Sequence, residues 1–224
     1  MQRILEPELM NEEEQARAYA AADFEEPHSH FIELFQAAFP GLDVTGFALD
    51  LGCGPGDIAR RFARAFPACT VHGVDGAEAM LRCGQQIIER DREVHERVEL
   101  VRGYLPGATL PRDSYDAVIS NSLLHHLPDP AILWKAISAQ AAPGAPVFIM
   151  DLARPQNREE ACRLADVYMP GEPEILRRDF FNSLLASFTV EEVRDQLRQA
   201  SLDYFSLELA SDRHLAAWGR MLDL

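Results

Sequence analysis

The chain has 224 residues, of which 47% are hydrophobic, and its 36 acidic and 21 basic side chains give a net charge of −15 at pH 7. A chain of this length can bury the core of one sizeable domain. The strong negative charge argues against binding to a nucleic-acid backbone, because that affinity depends mainly on lysine and arginine side chains that neutralise phosphates.

The cysteines and the hydropathy pattern indicate a reducing compartment. The four cysteines show no C-x-x-C spacing, no signal-peptide pattern opens the chain, and no apolar run approaches the roughly 18–20 residues of a membrane span. We therefore expect a cytoplasmic protein without a membrane or nucleic-acid partner. The histidines and cysteines predict no metal site, and the choice between monomer and homodimer stays open.

Two helices are predicted ahead of the first strand. Asn11, with Glu14 three residues on, is typical of a helix cap, and Pro27 is predicted to open a second, amphipathic helix. Both precede the alternating core, and Tyr19 in the first is a candidate substrate contact. Residues 1–44 are predicted to form either a lid over a ligand or a layer that packs on the sheet, and both interpretations stay open.

The central motif is a short apolar strand that runs into three glycines at alternate positions, followed by a helical pattern. Gly52, Gly54 and Gly56 can take positive φ and leave no Cβ between the main chain and a ligand. Cys53 fits there as a small residue in a tight turn. An ordinary strand–helix turn seldom needs so many glycines, so the stretch predicts a shelf for a nucleotide-like cofactor.

The spacing of the glycines distinguishes between cofactors. The dinucleotide fingerprint G-x-G-x-x-G would place its third glycine at position 57, where this chain has Asp57. The carboxylate of Asp50, which opens the loop, would repel a pyrophosphate but suits a ligand with an ammonium group. With its D-x-G-x-G-x-G motif the chain resembles the class I S-adenosylmethionine-dependent methyltransferases of the small-molecule type, similar to those of ubiquinone and menaquinone biosynthesis.

This resemblance implies a fold and a role for the loop. Asp50 and the main chain from Gly52 to Gly56 would hold the methionine end of the cofactor. The fold would be a doubly wound, Rossmann-like α/β domain with seven strands in the order 3-2-1-4-5-7-6, the last strand being antiparallel.

The second predicted strand ends at Asp75, about 20 residues after the loop. A Rossmann-like fold accepts hydrogen bonds from ribose hydroxyls at that point, although an isolated aspartate there would more often be a helix cap. Gly76 follows it in the candidate site. Met80 resembles the apolar residue that packs on adenine in this family, and a core methionine is the equal alternative.

The third predicted strand is followed by a departure from the family. Many relatives have an aspartate there that contacts the adenine amino group, whereas this chain has Tyr104 and Leu105 after Gly103. Adenine recognition would then pass to a main-chain group or to the Tyr104 hydroxyl.

The fourth predicted strand ends at Asn121 and leads to His125 and His126. Ligands of open α/β sheets bind at the carboxyl ends of the strands, so these side chains are predicted to face the reacting methyl group. One histidine would be the general base for an oxygen acceptor, with His126 slightly favoured, and the other would pack or cap. The alternative is that the histidines are structural.

After the fifth predicted strand the simple alternation breaks. Residues 153–188 are predicted to form a helical cover, in which Arg154 and Tyr168 are candidate substrate contacts; a solvated or ion-paired arginine is the alternative for Arg154. A capping box at Thr189 and Glu192 opens the last helix. A hairpin with an antiparallel last strand then closes the chain, as it does in the family.

Together the motifs predict a single domain with a cofactor-binding core over residues 45–152 and a last helix and hairpin over residues 189–224. The predicted function is methyl transfer from S-adenosylmethionine to an unidentified small molecule, with S-adenosylhomocysteine as product. An NAD(P)-dependent oxidoreductase and a non-catalytic S-adenosylmethionine-binding module are the alternatives. The predicted cofactor contacts are Asp50, Gly52, Cys53, Gly54, Gly56, Asp75, Gly76, Met80, Tyr104, Leu105 and Asn121.

Overall fold

A single twisted sheet forms the centre of the computed structural model, which describes residues 1–6 and 12–223. Its strand order is 3-2-1-4-5-7-6, and the seventh strand is antiparallel to both of its neighbours while all other neighbours are parallel. The predicted topology is therefore confirmed. The strands in the described ranges are β1 (Gly46–Leu51), β2 (Cys69–Asp75), β3 (Val98–Arg102), β4 (Ala117–Asn121), β5 (Pro146–Leu152), β6 (Ser206–Leu209) and β7 (His214–Arg220).

Helices accompany the sheet, and a short 3₁₀ turn, Leu124–His126, follows β4. Of the helices in the described part of the chain, none is long and apolar enough to cross a membrane. Those helices are α1 (Glu13–Ala21), α2 (Glu25–Ala38), α3 (Asp57–Ala65), α4 (Glu78–Ile88), α5 (Ala131–Gln140), α6 (Arg158–Tyr168), α7 (Glu174–Ala186) and α8 (Val190–Gln199).

The central strands are buried on both faces, because successive side chains of a strand point to opposite sides of the sheet. On one side Leu49 belongs to a cluster that includes Trp134 of α5. On the other side its neighbour Ala48 packs in a cluster with Phe35 of α2 and Phe62 of α3. This two-sided core leaves the carboxyl ends of the parallel strands open at one edge of the domain.

The two N-terminal helices, which belong to the predicted lid or cap over residues 1–44, pack in different places. Helix α2 is a core layer: the ring of Phe35 lies 4.9 Å from that of Phe62 and 5.9 Å from that of Phe148. Helix α1 instead packs beside the start of α4, where Ala16 shares a small cluster with Met80. Helix α1 and the first turn of α2, which includes His28, both line the cavity, while the rest of α2 packs in the core.

The predicted helix starts are only partly correct. Asn11 lies outside the described residues, and Glu12 at the start of α1 makes no side-chain cap bond. Helix α2 begins at Glu25 rather than at Pro27. A helix tolerates proline in its first turn, because the N–H groups of that turn have no intrahelical partner. The capping box of α8 is confirmed, since the Thr189 hydroxyl and the Glu192 carboxylate each accept the other residue's main-chain N–H.

Candidate active site

A cavity of about 750 Å³ opens at the carboxyl ends of β1, β2 and β4. The strand order reverses between β1 and β4, and open α/β sheets bind their ligands at such a switch point. The volume lies within the range of about 300–1,000 Å³ that is typical of small-molecule sites. The predicted site residues that line it are Tyr19, Asp50, Gly52, Cys53, Gly54, Asp75, Gly76, Met80, Tyr104, Leu105, Asn121, His125, His126 and Tyr168.

Two predicted site residues are not brought to the cavity wall. Gly56 is the residue before α3 and takes a left-handed φ of 78°. It therefore contributes to the conformation of the turn into α3 rather than to the cavity wall. The Arg154 side chain is buried, and its guanidinium lies 2.5 Å from the Glu192 carboxylate. Arg154 is therefore better described as an ion-paired arginine than as a substrate contact.

The glycine loop is bonded to β2 and presents bare main chain to the cavity. The N–H groups of Gly52 and Cys53 both donate to the carbonyl oxygen of Val74, at 2.9 and 3.1 Å. Gly52 has a φ of +71°, and a Cβ there would lie 2.7 Å from the Leu123 side chain. Gly54 has a φ of +52°, and a Cβ there would meet nothing within 4 Å. The loop thus needs Gly52 and Gly54 for its conformation, and at Gly54 it leaves bare main chain toward the cavity.

Asp75 holds the loop and the start of α4 in place. One carboxylate oxygen accepts the Gly54 N–H at 2.8 Å, and the other accepts the Ala77 N–H at 2.7 Å. Burial raises the pKa of Asp75, although these main-chain donors oppose the shift. Each oxygen keeps a second lone pair, so the capping role is compatible with acceptance from a ribose diol.

Two buried oxygens beside the glycine loop lack a partner among the described residues. They are Oδ2 of Asp50 and Oδ1 of Asn121, and both residues line the cavity. A buried acceptor without a donor costs about 1–3 kcal/mol, so such atoms indicate a missing donor. Burial, reinforced by the charge of Asp75, raises the pKa of Asp50 well above its usual value. A ligand ammonium would donate to Asp50 and favour its ionised form.

Asp57 occupies the first turn of α3, where a dinucleotide fold would place a pyrophosphate. Its Oδ2 lies 2.8 Å from His28 Nδ1 and accepts from Arg61 Nε at 2.7 Å. Burial opposes ionisation, but hydrogen bonds from His28 and Arg61 outweigh it and lower the pKa of Asp57. A fixed negative charge at this helix start disfavours NAD(P).

His125 and His126 lie in the 3₁₀ turn after β4, and the structure places them differently. His125 is buried, and its Nδ1 lies 2.6 Å from Oδ1 of Asp151 in β5. Although burial lowers it, the carboxylates of Asp151 and Glu6 raise the pKa of His125 overall. Nδ1 of His126 in turn lies 3.2 Å from Oε1 of Glu6, so a carboxylate faces each histidine and the choice between them as a base stays a prediction.

Sequence reasoning missed Asp151 and Glu6. An acidic residue in an otherwise apolar fifth strand was a usable signal for Asp151, because a buried carboxylate needs a partner. Glu6 lies in a segment without a periodic pattern, and nothing near it in the sequence indicates that it reaches His125.

Comparison with known sequences finds similarity to methyltransferases. Residues 49–147 match the family model described as a methyltransferase domain. An uncharacterized methyltransferase of Mycobacterium tuberculosis is 30% identical over 129 residues, which cover 58% of this chain and 61% of the relative. The trans-aconitate 2-methyltransferase of Variovorax paradoxus is 34% identical over 114 residues, or 50% of this chain and 39% of the relative. The chain thus spans about three fifths or less of the length of these relatives.

Solved structures agree on the fold. An S-adenosylmethionine-dependent methyltransferase from Aquifex aeolicus superposes with a TM-score of 0.66 at 14% identity, covering 94% of this chain and 99% of that one. The plantazolicin methyltransferase BpumL, in complex with S-adenosylhomocysteine, gives a TM-score of 0.69 at 15% identity, with 93% and 90% covered. The protein therefore has the fold and the matched domain of a methyltransferase. More particularly, its fold is that of the solved S-adenosylmethionine-dependent methyltransferases on which it superposes.

Proposed function

We propose that this protein transfers the methyl group of S-adenosylmethionine to a small-molecule acceptor. The observation that carries the proposal is the pair of unpartnered buried oxygens, on Asp50 and Asn121, beside a bare glycine loop in the cavity. These groups suit a ligand that brings hydrogen-bond donors and a positive charge but no phosphate. S-adenosylmethionine has that combination.

The residues present can hold each part of the cofactor. Asp50 and the loop main chain would bind the ammonium and carboxylate end, and Asp75 would accept from the ribose hydroxyls. Met80 and Tyr104 line the part of the cavity beyond Asp75, where adenine would bind. The bound cofactor supplies a methyl group activated on sulfur. The chain's own contribution is to orient it against the acceptor and to exclude water.

The part of the cavity lined by α6 and α7 has apolar side chains beside the polar Glu172, Asp179 and Ser183. Met169, Leu176 and Phe180 line it together with Tyr168, close to the two histidines of the 3₁₀ turn. We infer a partly apolar acceptor whose nucleophilic atom lies toward the histidines. Helix α1 and the α6–α7 pair would close over it. The role of a histidine as general base stays a prediction.

The arginines of the cavity bear on the charge of the acceptor. Among the described residues that line it, Arg60, Arg61 and Arg213 are each ion-paired with carboxylates. A polyanionic acceptor needs cations that are free to bind it. A tricarboxylate, of the kind that the name of the Variovorax relative indicates, therefore fits this cavity less well than a neutral molecule.

Calorimetric titration tests the cofactor. We expect S-adenosylhomocysteine to bind with about micromolar affinity, near 8 kcal/mol, and NAD to give no heat. Asp75→Ala should weaken the binding by about 1.5–3 kcal/mol, the usual loss for a hydrogen bond to a charged group. Asp203→Ala, on an exposed residue, is the matched control and should bind as the parent does.

Turnover tests the reaction. Release of S-adenosylhomocysteine from S-adenosylmethionine is measured with a panel of phenols, amines, thiols and trans-aconitate. Acceptor-dependent release from a neutral member supports the proposal. If the protein bound NAD but not S-adenosylhomocysteine, the oxidoreductase alternative would be favoured. Tight cofactor binding without release for any class of acceptor would favour the non-catalytic module.

A further inference from the structure

A compact group of two imidazoles and a carboxylate lies at the edge of the cavity. Oε1 of Glu6 is 3.4 Å from Nε2 of His125 and 3.2 Å from Nδ1 of His126. The three atoms lie within 4.8 Å of one another. The Glu6 and His125 side chains are more than nine-tenths buried, and 16% of the His126 side chain is exposed. None of the three is among the predicted cofactor contacts.

The spacing of these atoms fits the first coordination sphere of a small cation. Zn²⁺ binds imidazole nitrogen and carboxylate oxygen at about 2.0–2.2 Å, so in a tetrahedral site two ligand atoms are about 3.3–3.5 Å apart. The distance of 3.4 Å from Oε1 of Glu6 to Nε2 of His125 lies at this spacing, and the distance of 3.2 Å to Nδ1 of His126 is slightly shorter. A small movement of side chains would bring the group around an ion.

The groups behind these side chains are also those of a metal site. A histidine ligand usually donates its second N–H to a carboxylate, which fixes its tautomer and orientation, and a carboxylate ligand is itself hydrogen-bonded. Nδ1 of His125 lies 2.6 Å from Asp151, whose other oxygen accepts the Leu124 N–H at 2.7 Å. The Ser183 hydroxyl donates to Oε1 of Glu6 at 3.0 Å.

The charge of this group also favours a bound cation. Glu6 and Asp151 bring two carboxylates into a buried region, with side-chain exposures of 8% and 2%. The guanidinium of Arg3 is hydrogen-bonded to the main-chain carbonyls of Ala186, His125 and Leu127. A divalent cation would provide the charge compensation that buried carboxylates require.

We propose that Glu6, His125 and His126 form a binding site for a divalent first-row metal ion of the Zn²⁺ type. Mixed nitrogen and oxygen ligands suit Zn²⁺, and three protein ligands leave a fourth position, as in catalytic zinc sites. Both histidines line the cavity, so an ion held by them would lie at its wall. The proposed metal site is separate from the proposed methyl transfer, because metal binding can be measured without any acceptor.

The site would also fix the N-terminal segment. Residues 1–6 lie against α7 and the 3₁₀ turn, where the Ile4 N–H donates to Leu185 O at 2.9 Å and the Arg3 guanidinium lies 3.9 Å from the centre of the Phe188 ring. Glu6 supplies the one ligand from this segment, while both histidines belong to the core. Metal binding should therefore raise the thermal unfolding temperature of the full chain.

The test uses the full-length protein after chelator treatment and dialysis. Zn²⁺ is titrated by calorimetry, and Co²⁺ is added separately to record the visible absorption of its coordination sphere. We expect one ion per chain, with binding weakened about tenfold or more in Glu6→Gln and in His126→Gln, and about 10- to 100-fold in Asp151→Asn, which acts on the orientation of His125. The matched controls are His30→Gln and Glu33→Gln, which alter an exposed histidine–glutamate pair 3.5 Å apart in α2.

The outcomes separate clearly. Zn²⁺ affinity and Co²⁺ absorption that fall in the ligand variants, but persist in the α2 controls, support the site. If the parent protein binds no Zn²⁺, or if Glu6→Gln and His126→Gln bind it as the parent does, the proposal is wrong. Circular dichroism of each metal-free variant shows that its fold is kept, and two ligand variants from separate segments guard against a local loss of structure. Binding of S-adenosylhomocysteine is measured in parallel, so a failure of the metal site is distinguishable from a failure of the cofactor site.

Discussion

Gly54→Ala is expected to abolish measurable cofactor binding while the protein stays folded. The Cβ added at Gly54 meets no protein atom within 4 Å, so it would occupy space in the cavity itself. Main chain without Cβ is what allows a ligand to lie against this loop. The left-handed φ of +52° costs an alanine about 1–2 kcal/mol, which is small beside the roughly 5–15 kcal/mol that keeps a domain folded.

Gly52→Ala is the matched comparison, because it carries the same left-handed penalty at a crowded position. Its Cβ would lie 2.7 Å from Cδ1 and 2.8 Å from Cβ of Leu123, and a Cβ cannot rotate away. Overpacking of this kind costs about 1–3 kcal/mol in addition. Urea unfolding should therefore show a larger loss of stability for Gly52→Ala than for Gly54→Ala.

Calorimetry with S-adenosylhomocysteine, combined with these unfolding curves, decides between the two effects. Undiminished binding by Gly54→Ala would mean that the cofactor does not lie against the loop. Equal losses of stability in the two variants would mean that the Leu123 contact relaxes without cost.

The sheet could be predicted from the sequence because its signals are local. Apolar strands alternate with helical patterns, and the glycine loop after β1 fixes the position of the first crossover, so the strand order followed once the family was recognised. The role of α2 could not be predicted in this way. A helix with Phe31 and Phe35 on one face has the same pattern whether it covers a ligand or a sheet, and only the contact with Phe148 of β5 decides the question.

The sequence predicted which strand-end residues line the cavity, but it did not predict the long-range partners of the side chains near the histidines. Asp50, Asp75 and Asn121 lie at or near the ends of parallel strands, where the topology itself brings side chains together. Arg154 has the same kind of position, but its partner Glu192 comes from a helix 38 residues later. Glu6 reaches His125 from the far N-terminus, a contact that no periodicity encodes.

Asp50→Asn is expected to weaken cofactor binding strongly and, at neutral pH, to stabilise the protein. Removal of one partner from a buried charge pair costs about 3–5 kcal/mol, which corresponds to a loss of affinity of roughly a hundredfold or more. In the absence of ligand the same carboxylate lowers the stability of the folded protein. Its Oδ2 is buried without a partner among the described residues, and burial together with the charge of Asp75 raises its pKa.

The pH dependence has a definite sign. Because the pKa of Asp50 is raised in the folded state, the folded protein holds a proton that the unfolded chain has already released, and folding stability falls as the pH rises above the unfolded value near 3.8. Asparagine cannot ionise and does not show this fall. The free energy of unfolding of Asp50→Asn, relative to the parent, should therefore increase as the pH is raised from about 4 toward neutrality.

Urea unfolding at pH 5 and pH 8, with calorimetry of S-adenosylhomocysteine at the same two values, measures both effects. Since the ligand ammonium favours the ionised carboxylate, the affinity of the parent should rise with pH through the folded pKa of Asp50, and that rise should be missing in the variant. Asp203→Asn, which removes an exposed carboxylate, should leave stability and affinity as in the parent. An Asp50→Asn protein that binds as tightly as the parent would show that the ammonium group lies elsewhere, and the loop would then hold the cofactor through its main chain alone.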